Sequence, residues 1–279
     1  MQEKRRDRLV SAPRTYSRIQ LMRYFLRNPR EFGLMVGITT NFLRKRGILF
    51  RSRREKVGPQ SQSLFWQDYP TVPLQEWLKN FDHGCNKSSL AMPNFDIYKA
   101  ENQKRLDILS YQMGGAGSME LLYTLCINQR VRTVAESGVA AGWSSLAILM
   151  ALEELGRGTL WSNDRPYIGL GSRRDIGLVV PPELKKNWKL MIGSDHRNLK
   201  RMLRRASPID LFHYDSDKSY EGRTWAYPLI WESLKQGGWL ISDDVQDNSA
   251  FLDYFVDKLG LEPTVIDFEN KKIGVVQKN

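Results

Sequence analysis

A chain of 279 residues with 41% hydrophobic and 26% charged content is long enough for one large core and an appendage. No run of about 18 apolar residues occurs and the basic N-terminus leads into no signal-like apolar core, so no membrane span is expected; two cysteines (Cys85, Cys126) and three scattered histidines (His83, His196, His213) exclude a disulfide framework and a cysteine–histidine metal site and fit a reducing, cytoplasmic setting. The formal charge of +11 is uneven: residues 1–56 carry 16 Lys and Arg against 4 Asp and Glu, and the remainder is near neutral, so the basicity belongs to an arm.

Residues 1–18 are polar and poor in apolar anchors and read as disordered. Ile19, Met22, Phe25 and Leu26 then form a short helical stripe flanked by arginines, interrupted by Pro29. FGLMVGITTNFL at 32–43 is too short to span a bilayer and runs into Arg44-Lys45-Arg46 and the basic RSRREK at 51–56. This arm, 1–60, partly helical or disordered, either packs its apolar side on the main domain or on a second copy of the chain, or attaches peripherally to an anionic membrane surface; nucleic acid ranks third. Residues 61–110 read as an irregular or helical cap, with Phe65, Trp66 and Trp77 covering one edge of the core. From Ile97 to Cys126 the pattern is helical, broken by GGAG at 114–117, and the main domain is expected over 111–279.

That domain is organised around 131–155, a buried strand, a glycine turn and a helix. Val131, Val134 and Ala135 are strand-like, Glu136 falls where the strand should end, and Gly138 and Gly142 permit tight turning before Ser144 or Ser145 caps the helix. Such a turn lets a ligand approach free main-chain amides at a helix start, while the acidic side chain accepts hydrogen bonds from ribose or an amino group. The spacing Gly138-x-x-x-Gly142 is not the dinucleotide fingerprint, so pyrophosphate is disfavoured. A bare βα turn is the plain alternative.

Further strands follow at 158–164, 188–193 and 209–215, and a fifth, WLISDD, is introduced by Gly237-Gly238. Asp164 ends the second, where an acid either meets ribose hydroxyls or forms a turn before Arg165-Pro166. The glycine-bearing stretch 167–182 reads as a lid or substrate loop. Asp195 either contacts an adenine amino group or caps its own basic helix. TVIDF and KIGVVQ flank a short turn at Glu269–Lys271, a hairpin signal.

Alternating βα units that finish in a hairpin resemble the class I S-adenosylmethionine-dependent methyltransferases. The ordered segments ESGVAAGWSS, VVPPEL, IDLFHYDSDKSY, GGWLISDDV and NSAF are similar to the methyltransferase-24 family, over roughly residues 110–277. The resemblance implies an α/β, Rossmann-like seven-stranded sheet with helices on both faces and a C-terminal antiparallel hairpin. It implies that Glu136, Gly138 and Ser144 line the methionine and ribose side of S-adenosylmethionine, that Asp164 holds the ribose, that Asp195 lies near adenine, and that Asp215 borders the cofactor. Ser194 stands where the family often has an acid, which shifts or removes the adenine contact.

Asp215, Asp243 and Asp244 also fall where catechol- and caffeoyl-coenzyme-A-type O-methyltransferases bind a divalent cation, with Asp215-Ser216-Asp217-Lys218 similar to their motif. Three carboxylates at neighbouring strand ends repel one another unless a cation or a proton relieves them, and hard oxygen ligands favour Mg²⁺, with Mn²⁺ or Ca²⁺ as substitutes. Strand-end aspartates that cap helices are the alternative. Lys218 sits at the place of that motif's base, where it would be kept partly neutral by the dication, or else it pairs with Asp217 or Glu221. The leading expectation is O-methylation of a hydroxyl on a small molecule, sugar or secondary metabolite. An RNA or protein N-methyltransferase and a non-catalytic cofactor-binding scaffold are the alternatives.

Overall fold

The computed structural model describes residues 10–11, 18–27, 29, 66, 68–81, 92, 95–109, 111–167 and 173–279. The expectations for 1–9, for the 32–43 apolar segment and for the 51–56 basic cluster lie outside the described residues, as do Phe65, His83, Cys85 and 168–172.

Seven strands build the central sheet: β1 Thr133–Ser137, β2 Thr159–Asp164, β3 Trp188–Ile192, β4 Ile209–Tyr214, β5 Leu234–Ser242, β6 Thr264–Phe268 and β7 Lys271–Gln277. They lie in the order β6-β7-β5-β4-β1-β2-β3, and β7 runs antiparallel to its two neighbours while the rest are parallel. The strand order therefore reverses between β1 and β4, the place where an open α/β sheet leaves a crevice beyond its strand ends.

The helices are α1 Arg18–Arg27, α2 Leu74–Phe81, α3 Phe95–Leu106, α4 Met119–Asn128, α5 Trp143–Glu154, α6 Asp195–Ala206 and α7 Tyr220–Ser233. Successive strand residues point to opposite faces, and here both faces are apolar. Val134, Leu211 and Ile241 join α4 and α5 in one core, and Ala135, Phe212 and Leu240 join α6 and α7 in the other. Two-sided burial is why these strands read as near-continuous hydrophobic runs. Among the described residues no helix is long and apolar enough to cross a membrane.

Three features depart from the sequence expectation. An eighth, two-residue strand, Val72–Pro73, adds in parallel to the outer edge of β6, and α2 follows it with Leu74 and Leu78 buried. Gly237 and Gly238 do not precede β5 but lie inside it, at an irregularity of pairing with β4: Gly237 has φ +75°, and a Cβ on Gly238 would stand 2.9 Å from the Lys235 carbonyl oxygen. The described second half of the anticipated lid is core. Ile176, Val179 and Val180 are buried, and the amides of Gly177 and Val179 donate to the carbonyls of Ala140 and Ala141 at 2.9 and 3.0 Å.

The short helix Ala250–Leu252, continued as a π-helical turn Asp253–Lys258, closes the second core by placing Phe251 flat against β7. A Cβ on Gly274 would lie 2.4 Å from the Phe251 ring. Gly274→Ala is expected to lower the unfolding free energy by about 1–3 kcal/mol, the usual cost of overpacking, read from the urea midpoint. An unchanged midpoint would mean that this contact is loose.

Candidate functional site

A cavity of about 850 Å³ opens at the C-terminal ends of β1 to β4, within the usual size range of small-molecule sites. Segments 114–118, 138–140, 163–167, 193–196 and 215–218 form its walls, with Trp143, Ser144, His213, Asp243 and Lys271 completing them. The structure thus brings Gly138, Ser144, Asp164, Asp195, Asp215, Lys218 and Asp243 onto one cavity. Glu136 and Asp244 lie behind its surface.

Glu136 is fully buried below the turn. Its carboxylate accepts hydrogen bonds from the hydroxyls of Ser144 at 2.9 Å, Ser162 at 2.7 Å and Ser145. Ser144 and Ser145 consequently do not cap α5: the N-cap position is Gly142, at φ +97°, and both serine hydroxyls are drawn inward to the buried charge.

The glycines of the turn serve the chain's own approach. A Cβ on Gly138 (φ +93°) would lie 2.1 Å from the Asp215 carbonyl oxygen, and one on Gly142 would lie 2.7 Å from the Gly177 Cα. The turn's amides are occupied too. Val139 and Ala140 donate to Asp164 Oδ2 at 2.8 and 2.6 Å, and Arg165 donates to Oδ1 at 2.6 Å. Burial raises the Asp164 pKa, and these amides hold it back. A carboxylate has about four acceptor sites, so three amides leave one for a ligand hydroxyl.

Asp195 starts α6 but does not cap it, because Ser194 holds that position. It gathers three strand ends instead: Oδ1 accepts from Ser137 Oγ and from Asn163 Nδ2 (2.7 Å), and Oδ2 accepts from Ser216 Oγ (2.5 Å). Asn163 in turn accepts from the buried Asn198 at 2.7 Å.

Cations of the chain relieve the acidic cluster beyond β4 and β5. Lys218 Nζ lies 2.9 Å from Asp215 Oδ1 and also contacts Asp244 Oδ2, and Lys271 Nζ lies 3.6 Å from Asp244 Oδ1. His213 stands between Asp243 (Nε2 to Oδ1, 3.6 Å) and Glu136 (Nδ1 to Oε2, 3.9 Å). The fully buried Arg223 donates to the carbonyls of Asp243 and Asp244 at 2.9 and 2.8 Å, fixing a turn in which Asp244 takes φ +51°.

The expectation of a partly neutral Lys218 supposed a dication beside it; among the chain's own groups the balance runs the other way. Burial works against its charge, but Asp215 and Asp244 outweigh burial and raise its pKa. Burial and the nearby Asp243 push the Asp215 carboxyl up to about 6, against the opposing pull of Lys218 and His213. Nor do Asp215, Asp243 and Asp244 offer a joint cation cage. Among the described residues no group of three His, Cys, Asp or Glu side chains could hold a metal ion, and each of these three carboxylates already faces a cation of the chain. As they stand, the residues do not fit a divalent ion.

The methyltransferase-24 family, described as a methyltransferase domain, matches residues 135–245. Residues 135–245 are thus similar to a methyltransferase domain. Among solved structures, the fold resembles a proposed O-methyltransferase of Klebsiella pneumoniae, at 16% identity over 72% of this chain and 95% of that one, with a TM-score of 0.53. It also resembles the SAH-bound Podospora anserina methyltransferase PaMTH1, at 16% identity over 76% and 100% of the two chains, with a TM-score of 0.50. At these identities the likeness speaks for the fold. No curated protein sequence matches.

Sequence reasoning missed several wall residues of the cavity. His213 was hidden in an apolar strand run, and Lys271 in a hairpin turn. GGAG at 114–117 reads in the sequence as a break between helices, and in the fold its four small residues line the cavity.

His213 carries a pH signature. Burial lowers its pKa, but Asp243 and Glu136, with Asp215 nearby, outweigh burial and raise it from 6.5 to about 10. A raised folded-state value gives stability that is full below about pH 6.5 and is lost as pH climbs through about 10. Urea unfolding from pH 6.5 to 9 is expected to show stability falling more steeply in the parent than in His213→Gln. Parallel slopes would mean that the imidazole is neutral in the fold.

Proposed function

We propose that this chain transfers the methyl group of S-adenosylmethionine to a hydroxyl oxygen of a small molecule. The observation that carries the reading is one continuous cavity with two chemically different walls. On one side, beside the glycine turn, Asp164 and Asp195 present acceptors suited to a nucleoside. On the other, Asp215 and Lys218 present a carboxylate and an ammonium, each with about a third of its side chain exposed. The SAH bound to PaMTH1 and the O-methyltransferase name of the Klebsiella pneumoniae protein support the same cofactor and the same acceptor atom.

Here Asp164 supplies its remaining lone pair to a ribose hydroxyl, and the Asp195 network keeps the ends of β1, β2 and β4 in register beneath the nucleoside. Gly138 lets the Asp215 backbone close against the turn, so donor and acceptor walls meet. At the second wall Asp215 receives the proton that the acceptor hydroxyl must lose, and Lys218, held charged, steadies the oxygen as negative charge develops on it.

Gly115 offers a test that spares the fold, since a Cβ there meets nothing within 4 Å and the residue lines the cavity. Gly115→Trp is expected to abolish S-adenosylhomocysteine binding in calorimetry while shifting the unfolding temperature little. A variant that binds as the parent does would move the cofactor elsewhere, and a parent that binds no S-adenosylhomocysteine would end the proposal. A panel of phenols, sugars and amines with labelled donor then separates oxygen from nitrogen acceptors.

We propose further that the basic arm attaches the protein to an anionic membrane surface. In α1 Phe25 is buried, whereas Ile19, Met22 and Leu26 are 59%, 59% and 70% exposed. Arg18, Arg23 and Arg27 lie on the same helix, which has no acidic residue. An apolar stripe with basic flanks suits a lipid headgroup boundary, at about 1 kcal/mol per basic residue near such a surface. The full chain is expected to sediment with phosphatidylserine vesicles at low salt, and Ile19→Asp with Met22→Asp to weaken this. Unchanged sedimentation of the variant would remove α1 from the contact, and a parent dimer made monomeric by the same changes would assign the stripe to a second copy of the chain.

A further inference from the structure

The acidic cluster at the ends of β4 and β5 has the residue types of a divalent-cation site but not its electrostatics. Mg²⁺ demands near-octahedral oxygen ligands at about 2.0–2.1 Å and gives up water reluctantly. To enter between Asp215 and Asp244 it would have to expel the Lys218 ammonium, which contacts both. Asp243 is turned to His213, and Asp244 is further paired with Lys271. The turn that carries Asp243 and Asp244 is fixed from behind by Arg223 through two carbonyls, so these carboxylates are not free to swing together.

We infer that Lys218 is the resident cation of this site: its ammonium, pinned between Asp215 and Asp244, stands where a divalent ion would otherwise bind, and methyl transfer at this cavity proceeds without a metal. The second half of this statement rests on the function proposed above. An ammonium has three donors. Asp215 and Asp244 take two, and the third is left for the acceptor oxygen on the cavity side. As the oxygen–methyl bond forms and the methyl–sulfur bond breaks, the sulfonium becomes a thioether. The hydroxyl proton passes to the Asp215 carboxylate, and the product is a methyl ether. The lysine gains and loses no proton; it fixes charge where the metal would have done so.

The proposal makes a gain-of-function prediction that needs no acceptor. Free Mn²⁺, followed by its electron paramagnetic resonance signal in titrations with the full-length protein, is expected to be undiminished by the parent and by Lys218→Arg. Lys218→Met is expected to bind Mn²⁺ at least about tenfold more tightly than the parent, the least that one adjacent charge does to a carboxylate's affinity for a cation. Adding Asp215→Asn should abolish that binding. Depletion of Mn²⁺ by the parent, lost in Asp215→Asn, would overturn the inference without any variant at Lys218, and so would a folded Lys218→Met that gains no affinity. S-adenosylhomocysteine calorimetry on the same samples keeps the two proposals apart: a parent that binds neither ligand sinks the methyltransferase reading while leaving Lys218 as the resident cation.

Discussion

Four carboxylates, Glu136, Asp215, Asp243 and Asp244, stand at the C-terminal ends of three adjacent strands, β1, β4 and β5, and the rest of the site is arranged around partnering them. An ion removed from water costs several kcal/mol even after relaxation unless partners compensate it. Each acid is relieved from a different part of the chain. Serines of β2 and α5 hold Glu136, His213 of β4 serves Asp243, Lys218 ahead of α7 serves Asp215 and Asp244, and Lys271 of β7 reaches Asp244. Helices and hairpin are thus fastened to one edge of the sheet by charge, in addition to the apolar packing on its two faces. Losing His213 or Lys218 would leave a buried acid without its nearest cation.

The glycine turn follows the same logic at smaller scale. In a phosphate-binding turn the amides point outward and wait for an anion. Here Asp164 is that anion, supplied by the next strand, and Ala140 accepts φ +47° to aim its amide at it. The turn is therefore rigid before any ligand arrives. Recognition passes from the amides to side-chain oxygens, which suits a ligand that offers hydroxyls and amino groups rather than phosphates. This accounts physically for the missing third glycine: no pyrophosphate has to approach the backbone, and the closest approach to Gly138 is made by the protein's own chain at Asp215.

The architecture was largely legible because both sheet faces are buried. Runs such as VRTVAES and IDLFHYD have no other stable place, and the parallel strands other than β5 fell close to their expected positions. Site membership was legible by position along the strands, since Asp164, Asp195 and Asp215 all follow strand ends. What each carboxylate touches was not legible. The serines after Gly142 read as caps because capping is local, but a fully buried Glu136 outcompetes the local amides for their hydroxyls. Lys218 read as a base beside a metal because the sequence brings the three acids near it without showing that its ammonium lies between Asp215 and Asp244. The lid failed for a similar reason: Ile176, Val179 and Val180 looked like loop residues among glycines until the turn at 140–142 provided the surface they cover.

A fold shared with proteins at 16% identity fixes where chemistry happens and leaves open what is recognised. In this chain the two are physically separable. The donor side and the Asp215–Lys218 wall lie inside the matched 135–245 segment, whereas 114–118 and Lys271 lie outside it and close the cavity from two other directions. Residues 114–117 carry almost no side-chain bulk, so that wall of the cavity is largely backbone. Lys271 adds a positive charge that Asp244 only partly neutralises at 3.6 Å. Room along 114–117 and a cation at the hairpin are therefore the two features of the cavity set from outside the matched segment, and the second is tied to the charge network through Asp244.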